Sequence, residues 1–216
     1  MTLPRFITFT GVDERTDISR LQRIDRKYPG KIEWAILRSK TKNGQVHRYP
    51  SELVADNFQH IPVAKAMHVC GAWSRQINNH PDGAWPVDLN PHYFNRVQVN
   101  HTHPDPIRLV TLSERYGRQF IGQCRDYFPR PSMGVRWLFD ASGGRGIKPS
   151  VWIDPSHQSI SCGYAGGIDP DSARSVVAKI PAATYWIDME TGVRTDDWFD
   201  LDKCEAVLKA VYGNQP

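Results

Sequence analysis

The chain has 216 residues, of which 40% are hydrophobic, and this size and composition favour one domain around one substantial core. The 27 Lys and Arg residues against 23 Asp and Glu residues give a formal charge of +4 without a long run of like charges, so we expect no nucleic-acid partner. No stretch approaches the roughly 18 apolar residues that a membrane-spanning helix needs, which excludes such a span.

Short apolar runs recur along the chain and predict eight strands. They lie at 6–12, 32–37, 66–70, 96–100, 119–124, 135–139, 159–164 and 184–189. Several are apolar almost throughout, such as the run from Trp34 to Leu37. Such runs are typical of parallel strands that are covered on both faces.

Helical patterns separate most of these strands. They predict helices over 17–28, from the capping residue Ser51 to about residue 59, over 106–116, over 170–179 and over 200–212. Asp169 is the predicted N-cap of the fourth of these helices, because Pro170 suits the first helical position. The segment between the fifth and sixth strands is short and rich in proline, so we expect a degenerate fifth helix.

Eight strands that alternate with helices predict an α/β protein, and eight is the number that closes a (β/α)8 TIM barrel. We expect residues 1–216 to form a single, small barrel domain. A doubly wound open sheet is the competing architecture, but no glycine-rich fingerprint follows the first strand.

The cysteines bear on the compartment and on metal binding. Cys70, Cys124, Cys162 and Cys204 form no CxxC pair, which excludes a zinc ribbon or a thioredoxin-like motif. The N-terminus lacks the charged and then apolar pattern of a signal peptide. We therefore expect reduced thiols in a cytoplasmic protein, and no cofactor.

Glycine turns fall at the carboxyl ends of the last three strands, which is where a barrel places its active site. The sixth strand ends at Asp140. The ligand-binding candidates in the turns are Gly143, Gly144, Gly166, Gly167, Thr191 and Gly192. Exposed backbone N–H groups beside a helix N-terminus bind anions, so the turns after the seventh and eighth strands predict a phosphate site. Each turn alone is more typical of a tight connection.

Four segments occur in the order and spacing of one known family. They are Val97-Gln98-Val99-Asn100-His101, Asp140 with Gly143-Gly144-Arg145-Gly146, Ala165-Gly166-Gly167-Ile168-Asp169-Pro170, and Ile187-Asp188-Met189-Glu190-Thr191-Gly192-Val193-Arg194. In these segments the chain resembles phosphoribosylanthranilate isomerase, a (β/α)8 enzyme. The resemblance implies an Amadori rearrangement of a ribose phosphate joined to an aromatic amine, with Asp140 as the general acid that opens the sugar ring.

The first strand departs from this family at the general base. The family has a Cys in a KxCG motif, where this chain has Thr8 and Thr10, so Thr10 becomes a ligand-binding candidate. A threonine hydroxyl cannot act as a base unaided, and we expect little or no turnover of phosphoribosylanthranilate. Two groups are candidate substitute bases: Cys70, whose alternative role is packing, and Asp13, whose alternative role is a turn or cap.

A cationic segment follows the second strand and contains Arg38, Lys40, Lys42, His47 and Arg48. Arg48 matches the family arginine that holds the carboxylate of the aromatic amine. The added cations predict a ligand with more negative charge than one phosphate and one carboxylate, and a solvated surface loop is an equal alternative. Asn100, which replaces a family histidine, is a further candidate for hydrogen bonding to the ligand.

The favoured hypothesis is a phosphoribosylanthranilate isomerase-like barrel that binds a small phosphorylated, ribose-type ligand between Asp140, the two glycine turns and Arg48, and that acts as an isomerase. The alternative is a non-catalytic binding protein for a phosphorylated metabolite or a nucleotide-type signal. A distant alternative is a metal-dependent hydrolase around His101 and His103, which share a face if the chain is extended there. We expect no membrane partner, and a monomer or a homodimer.

Overall fold

The computed structural model describes residues 2–79, 85–129, 135–155 and 161–214. Eight parallel strands follow one another around a closed barrel, in which β1 pairs with both β2 and β8. They are β1 (Ile7–Thr10), β2 (Ile32–Ser39), β3 (Lys65–Cys70), β4 (Arg96–Val99), β5 (Gln119–Cys124), β6 (Arg136–Phe139), β7 (Cys162–Ala165) and β8 (Tyr185–Met189). The predicted (β/α)8 barrel is confirmed, and the open sheet is wrong. The predicted strand residues 159 and 160 lie outside the described residues.

Six α-helices surround the barrel in the described ranges. They are α1 (Ile18–Lys27), α2 (Glu52–Gln59), α3 (Gly71–Asn79), α4 (Pro106–Tyr116), α5 (Ala173–Val177) and α6 (Leu201–Tyr212). No described residue after β5 or β6 is helical before the next strand begins, and the sequence predicts no helix in either place. The loop after β6 contains Gly143, Gly144 and Gly146, all with positive φ, and such backbone cannot continue a helix.

The helix after β7 begins later than predicted. α5 starts at Ala173, its flanking residue is Ser172, and Asp169 is not its N-cap. Instead, the Ser172 N–H donates to the Asp169 carboxylate at 2.8 Å, and the Asp169 N–H donates to the Ser172 hydroxyl at 3.1 Å. This reciprocal pair holds Pro170 in a turn, so the loop after β7 is longer than the sequence indicates.

A two-stranded hairpin, unexpected from the sequence, follows β8. Its antiparallel strands are β9 (Arg194–Thr195) and β10 (Trp198–Phe199). Asp196 and Asp197 connect them with φ angles of 51° and 64°. Left-handed conformations at both central residues are those of a two-residue type I′ turn, which matches the twist of paired strands.

The main apolar core lies between the strands and the surrounding helices. Outward-facing rings such as Phe9 and Trp34 are fully buried there, with centroids 5.5 Å apart. The apolar stripe of α6 is buried against the same core and consists of Leu201, Cys204, Val207, Leu208 and Val211. Its spacing follows the helical repeat, as the sequence predicts.

An ion pair between aromatic rings fills the amino-terminal end of the barrel interior. Arg96 donates from Nε to Glu33 Oε2 at 2.7 Å and from Nη2 to Glu33 Oε1 at 2.5 Å. Its Cζ lies 4.6 Å from the ring centroid of Phe6 and 4.4 Å from that of Trp186. The Thr8 hydroxyl accepts from Arg96 at 3.1 Å and donates to Glu33 at 3.0 Å. Bidentate geometry and added hydrogen bonds offset the desolvation of the two charges.

Gly163 in β7 gives Trp186 the space that its ring occupies inside the barrel. A β-carbon at Gly163 would lie 2.3 Å from the Trp186 ring and 2.6 Å from the Leu138 side chain. We expect Gly163→Ala to lower the free energy of unfolding by about 1–3 kcal/mol, because overpacking forces the ring or the strand to shift. Urea denaturation measures this effect. In a Trp186→Phe background the same substitution should cost less, and equal costs in both backgrounds would contradict the contact.

Candidate functional site

A cavity opens at the carboxyl ends of the barrel strands, and residues from all strands except β2, or from the loops that follow them, contribute to its wall. The polar side chains that line it belong to Thr10, His68, Gln98, Asn100, Gln123, Asp140, Ser142, Asp188, Glu190 and Thr191. Among the described residues of this wall there are three carboxyl groups and neither a lysine nor an arginine. The cavity is therefore polar and rich in hydrogen-bond acceptors.

The glycine turns form one rim of this cavity. The predicted residues that line it there are Gly144, Gly166, Gly167, Thr191 and Gly192. Gly143 does not line it and packs instead beside Arg125, whose Nη2 would lie 2.5 Å from an added β-carbon. The backbone N–H groups of Gly167 and Ile168 donate to no acceptor in the described part of the chain. The rim thus offers unpaired donors of the kind that bind anions.

The loops after β6, β7 and β8 contact one another through their backbones. A β-carbon at Gly192 would lie 2.0 Å from the Ile168 carbonyl oxygen, and one at Gly167 would lie 2.6 Å from the Lys148 nitrogen. Glycine is therefore required at both positions for the rim to close. The helix N-terminus expected at this turn does not contribute, because α5 is only five residues long and begins at Ala173.

Asp140, the predicted general acid, accepts four hydrogen bonds. Its Oδ1 accepts from the Ser142 N–H at 3.1 Å and from the Ser142 hydroxyl at 2.8 Å. Its Oδ2 accepts from Gln123 Nε2 at 3.0 Å and from the Gly144 N–H at 2.5 Å. A proton on either oxygen would displace one of these donors. The four contacts hold the loop after β6 around this carboxyl group, and the general-acid role of Asp140 stays a prediction.

Thr10, Asp188 and His68 form a second polar cluster on the cavity floor. The Thr10 hydroxyl donates to Asp188 Oδ1 at 2.8 Å and lies 3.4 Å from His68 Nδ1. Asp188 Oδ2 lies 3.9 Å from His68 Nδ1 and accepts no hydrogen bond from the residues that the structure describes. Asp188 therefore keeps one acceptor oxygen available in the cavity wall.

Burial sets the protonation of this cluster. Desolvation raises the pKa of Asp188 to about 7, and the Thr10 hydrogen bond opposes that rise. Desolvation also lowers the pKa of His68 to about 3, with the Arg96 charge acting in the same direction. The imidazole is neutral at pH 7, so its contact with Asp188 is not an ion pair.

Arg48, the predicted anion ligand, lies at the cavity rim with its charge already balanced. Its Nη1 donates to Glu190 Oε1 at 3.0 Å and to Thr191 Oγ1 at 3.1 Å, and its Nε donates to Asp197 Oδ1 at 2.5 Å. Desolvation raises the pKa of Glu190, while the charges of Arg194 and Arg48 oppose that rise. These contacts fasten the loop after β2 to the hairpin beside the cavity mouth.

Arg38 and Asp13 do not line the cavity, so its geometry does not support their predicted ligand and base roles. Arg38 points outward from β2 and forms an ion pair with Glu52 of α2, because alternation along the strand turns it away from the barrel interior. Asp13 is buried and accepts from the Phe199 N–H at 2.7 Å and from Arg194 Nη1 at 3.3 Å. It ties the loop after β1 to the hairpin.

The structure also argues against a base at Cys70 and against a strongly cationic site. Burial raises the pKa of the Cys70 thiol to about 11, so the thiol keeps its proton at neutral pH. Asn100, which lines the cavity as predicted, donates to Cys70 Sγ at 3.2 Å and accepts from Gln98 at 2.8 Å. Lys40 is exposed and does not line the cavity. The described wall of the cavity therefore contains no lysine or arginine to meet the predicted excess of negative charge on the ligand.

The histidine pair after β4 does not assemble a metal site. The His103 N–H donates to His101 Nδ1 at 3.2 Å. Within the described residues there is no group of three or more His, Cys, Asp or Glu side chains that could hold a metal ion. The hydrolase alternative therefore lacks a ligand set there. Separately, none of the described helices is long and apolar enough to cross a membrane.

Several solved structures share this fold across nearly the whole chain. Phosphoribosylanthranilate isomerase monomers from Thermotoga maritima match with a TM-score of 0.61 and 15% identity, over 98% of this chain and 100% of that one. A phosphoribosylanthranilate isomerase in complex with reduced 1-(o-carboxyphenylamino)-1-deoxyribulose 5-phosphate matches with a TM-score of 0.64 and 14% identity, over 98% of this chain and 100% of that one. The isomerase from Pyrococcus furiosus matches with a TM-score of 0.60 and 13% identity, over 96% of this chain and 98% of that one. No protein-family model and no curated protein matches the sequence. At these identities the likeness establishes a shared fold.

Sequence reasoning did not select Asp188, Glu190 or His68 as site residues, although all three line the cavity. A signal was present in β8, where a single carboxylate interrupts an otherwise apolar strand. Alternation places Trp186, Asp188 and Glu190 on the same face. Because Trp186 fills the barrel, the two carboxyl groups above it must face the cavity.

Asp188→Asn should change how stability depends on pH. The pKa of Asp188 is raised to about 7 in the folded protein, against about 3.9 in an unfolded chain. The folded state therefore holds this proton more tightly, and the resulting stability is full below about pH 4 and is lost as the pH rises to about 7. The variant lacks that loss. The difference between its free energy of unfolding and that of the wild-type protein should therefore shift in favour of the variant by up to about 4 kcal/mol from pH 4 to pH 8.

Urea denaturation across this pH range measures the difference between the two proteins. Asp202→Asn is the control, because Asp202 is exposed and its ion pair with Arg20 lowers its pKa. An Asp188→Asn protein whose stability follows the wild-type pH dependence would show that Asp188 does not titrate near neutrality.

Proposed function

We propose that this chain binds a phosphorylated, ribose-type ligand in the cavity at the carboxyl end of its barrel and acts on it as an isomerase. The observation that carries the proposal is the glycine rim, where Gly167 and Ile168 offer unpaired N–H groups and Gly192 brings the loop after β8 into contact. One structural neighbour is in complex with a deoxyribulose 5-phosphate compound, which supports the same class of ligand.

The charges of the cavity favour a ligand with one anionic group. Asp140, Asp188 and Glu190 line the described wall without a lysine or an arginine beside them. A second phosphate would meet carboxyl groups with no cation to offset the repulsion. One phosphate can bind instead at the backbone N–H groups of the rim. These donors are unpaired and can bind an anion without a cationic side chain.

The floor of the cavity suits hydroxyl groups. Gln98 Oε1 is buried and has no hydrogen-bond partner within the described residues. Asp188 Oδ2 is likewise available as an acceptor. Acceptors of this kind match the hydroxyl donors of a sugar, and a buried acceptor gains most when a ligand satisfies it.

A non-catalytic binding protein is the second candidate. Thr10 stands at the position of the family base, and the buried Cys70 thiol stays protonated. Both candidates bind the same ligand and differ only in turnover. NMR of ribose 5-phosphate incubated with the protein separates them, because conversion supports the isomerase and binding without conversion supports the binding protein.

A pair of variants at Thr191 tests the phosphate site. Thr191 is exposed on the rim, so it tolerates either Asp or Asn. We expect Thr191→Asp to weaken ribose 5-phosphate binding by about 10-fold or more at low salt, because it adds a charge beside the phosphate. Thr191→Asn has the same shape without the charge and should change affinity by no more than about 3-fold. Isothermal titration calorimetry measures both.

Unphosphorylated ribose is the ligand control. Its weaker binding should respond equally to both substitutions, since it carries no charge. Equal losses of ribose 5-phosphate affinity in the two variants would argue against a phosphate at this rim. Absence of ribose 5-phosphate binding by the wild-type protein would overturn the proposed function.

A further inference from the structure

The three carboxyl groups of the cavity wall differ in what already binds them. Asp140 accepts four hydrogen bonds, two on each oxygen. Glu190 is paired with Arg48 at 3.0 Å. Asp188 accepts one hydrogen bond, from Thr10 at 2.8 Å, and its Oδ2 accepts none from the described residues. Only Asp188 can therefore take up a proton without losing an ion pair or a hydrogen bond.

The surroundings of Asp188 allow both of its protonation states. Burial and the charges of Glu190 and Glu33 favour the neutral acid, whereas Thr10 and Arg96 favour the carboxylate. His68, the remaining titratable neighbour, has its pKa lowered and stays neutral. The balance raises the pKa of Asp188 to about 7, close to the pH at which a general base works best.

We propose that Asp188 is the general base of this site, which takes a proton from the carbon next to the carbonyl group of the bound sugar phosphate. The inference rests on the proposed function and assigns the base that Thr10 itself cannot supply. Asp188 on β8 accepts a hydrogen bond from Thr10 on the neighbouring β1. A base at Asp188 therefore acts at nearly the same place on the cavity floor as a base at position 10 would.

The proton transfer balances without any co-reactant. The Asp188 carboxylate takes the proton from the carbon beside the carbonyl, and the electron pair of that C–H bond becomes a C=C bond. The π pair of the carbonyl moves to its oxygen, which gives an enediolate and a neutral Asp188 acid. The reverse transfer returns a proton to the carbon, or a deuteron when the solvent is D2O.

Thr10 is a positioning residue in this arrangement. Its hydroxyl holds Oδ1, which leaves Oδ2 for the ligand, and its hydrogen bond lowers the pKa of Asp188. Thr10→Val should therefore shift the pH at which exchange is half-maximal upward, whereas Thr10→Ser keeps a hydroxyl and should restore the wild-type profile. A role of Thr10 in packing alone would not give this difference.

Deuterium exchange into ribose 5-phosphate tests the proposal with the full chain. We expect the wild-type protein in D2O to replace the hydrogen at C2, as followed by NMR, with a rate that rises with pH and levels off above about pH 7, since the carboxylate is the active form. Asp188→Asn should lower the rate by about 100-fold or more while calorimetry shows that ribose 5-phosphate still binds. Asp25→Asn removes a carboxyl group whose pKa is also raised by burial, but outside the cavity, and should leave exchange unchanged.

Infrared titration supplies a readout that does not depend on turnover. The wild-type protein should show a protonated carboxyl band that disappears as the pH rises through about 7 and that is missing from Asp188→Asn. Wild-type protein that converts ribose 5-phosphate but exchanges its C2 hydrogen no faster than Asp188→Asn overturns this inference alone. Binding with neither conversion nor exchange overturns the inference together with the isomerase activity and leaves the binding protein. A wild-type protein that does not bind ribose 5-phosphate overturns the proposed function, and the inference falls with it.

Discussion

The buried pairing of Arg96 with Glu33 is the interaction on which the barrel interior depends. Two charges are held inside eight strands, between the rings of Phe6 and Trp186, and each needs the other to offset its desolvation. The pair also acts on the cavity above it. The Arg96 charge helps to keep His68 neutral and opposes the rise in the pKa of Asp188. A contact that closes one end of the barrel therefore tunes the proton chemistry available at the other.

The mouth of the cavity is organised by a second set of charges. Arg48 reaches from the loop after β2 to Glu190 and Asp197, and His47 stacks on Trp198 with ring centroids 3.9 Å apart. Arg48 and His47 of this loop are thus engaged by other parts of the protein rather than turned into the cavity. The described wall of the cavity accordingly contains neither a lysine nor an arginine.

The sequence predicts the fold well because strand periodicity and glycine turns are local signals. It correctly predicts the barrel and the α6 stripe, and the glycines that it selects, Gly167 and Gly192, line the cavity. It fails where partners come from distant segments. The outward turn of Arg38 depends on strand alternation in the closed barrel. The partners of Asp13 Oδ2 lie more than 180 residues away, whereas Oδ1 accepts from the nearby Arg15 N–H and Thr16 hydroxyl. The availability of Asp188 is likewise visible only when the hydrogen bonds of all three cavity carboxyl groups are compared.

The location of the general base follows from barrel geometry. A group at position 10 faces the interior beside β8, so the nearest side chain able to take over a proton there belongs to that strand. Cys70 on β3 offers a thiol, but burial raises the pKa of this thiol to about 11, and its sulfur accepts a hydrogen bond from Asn100. A carboxyl group needs the opposite change, since burial raises its low pKa towards neutrality rather than away from it. The same dry interior that disables a thiol as a base therefore makes a carboxylate suitable, and Asp188 is the carboxylate of the wall that has an oxygen left for this use.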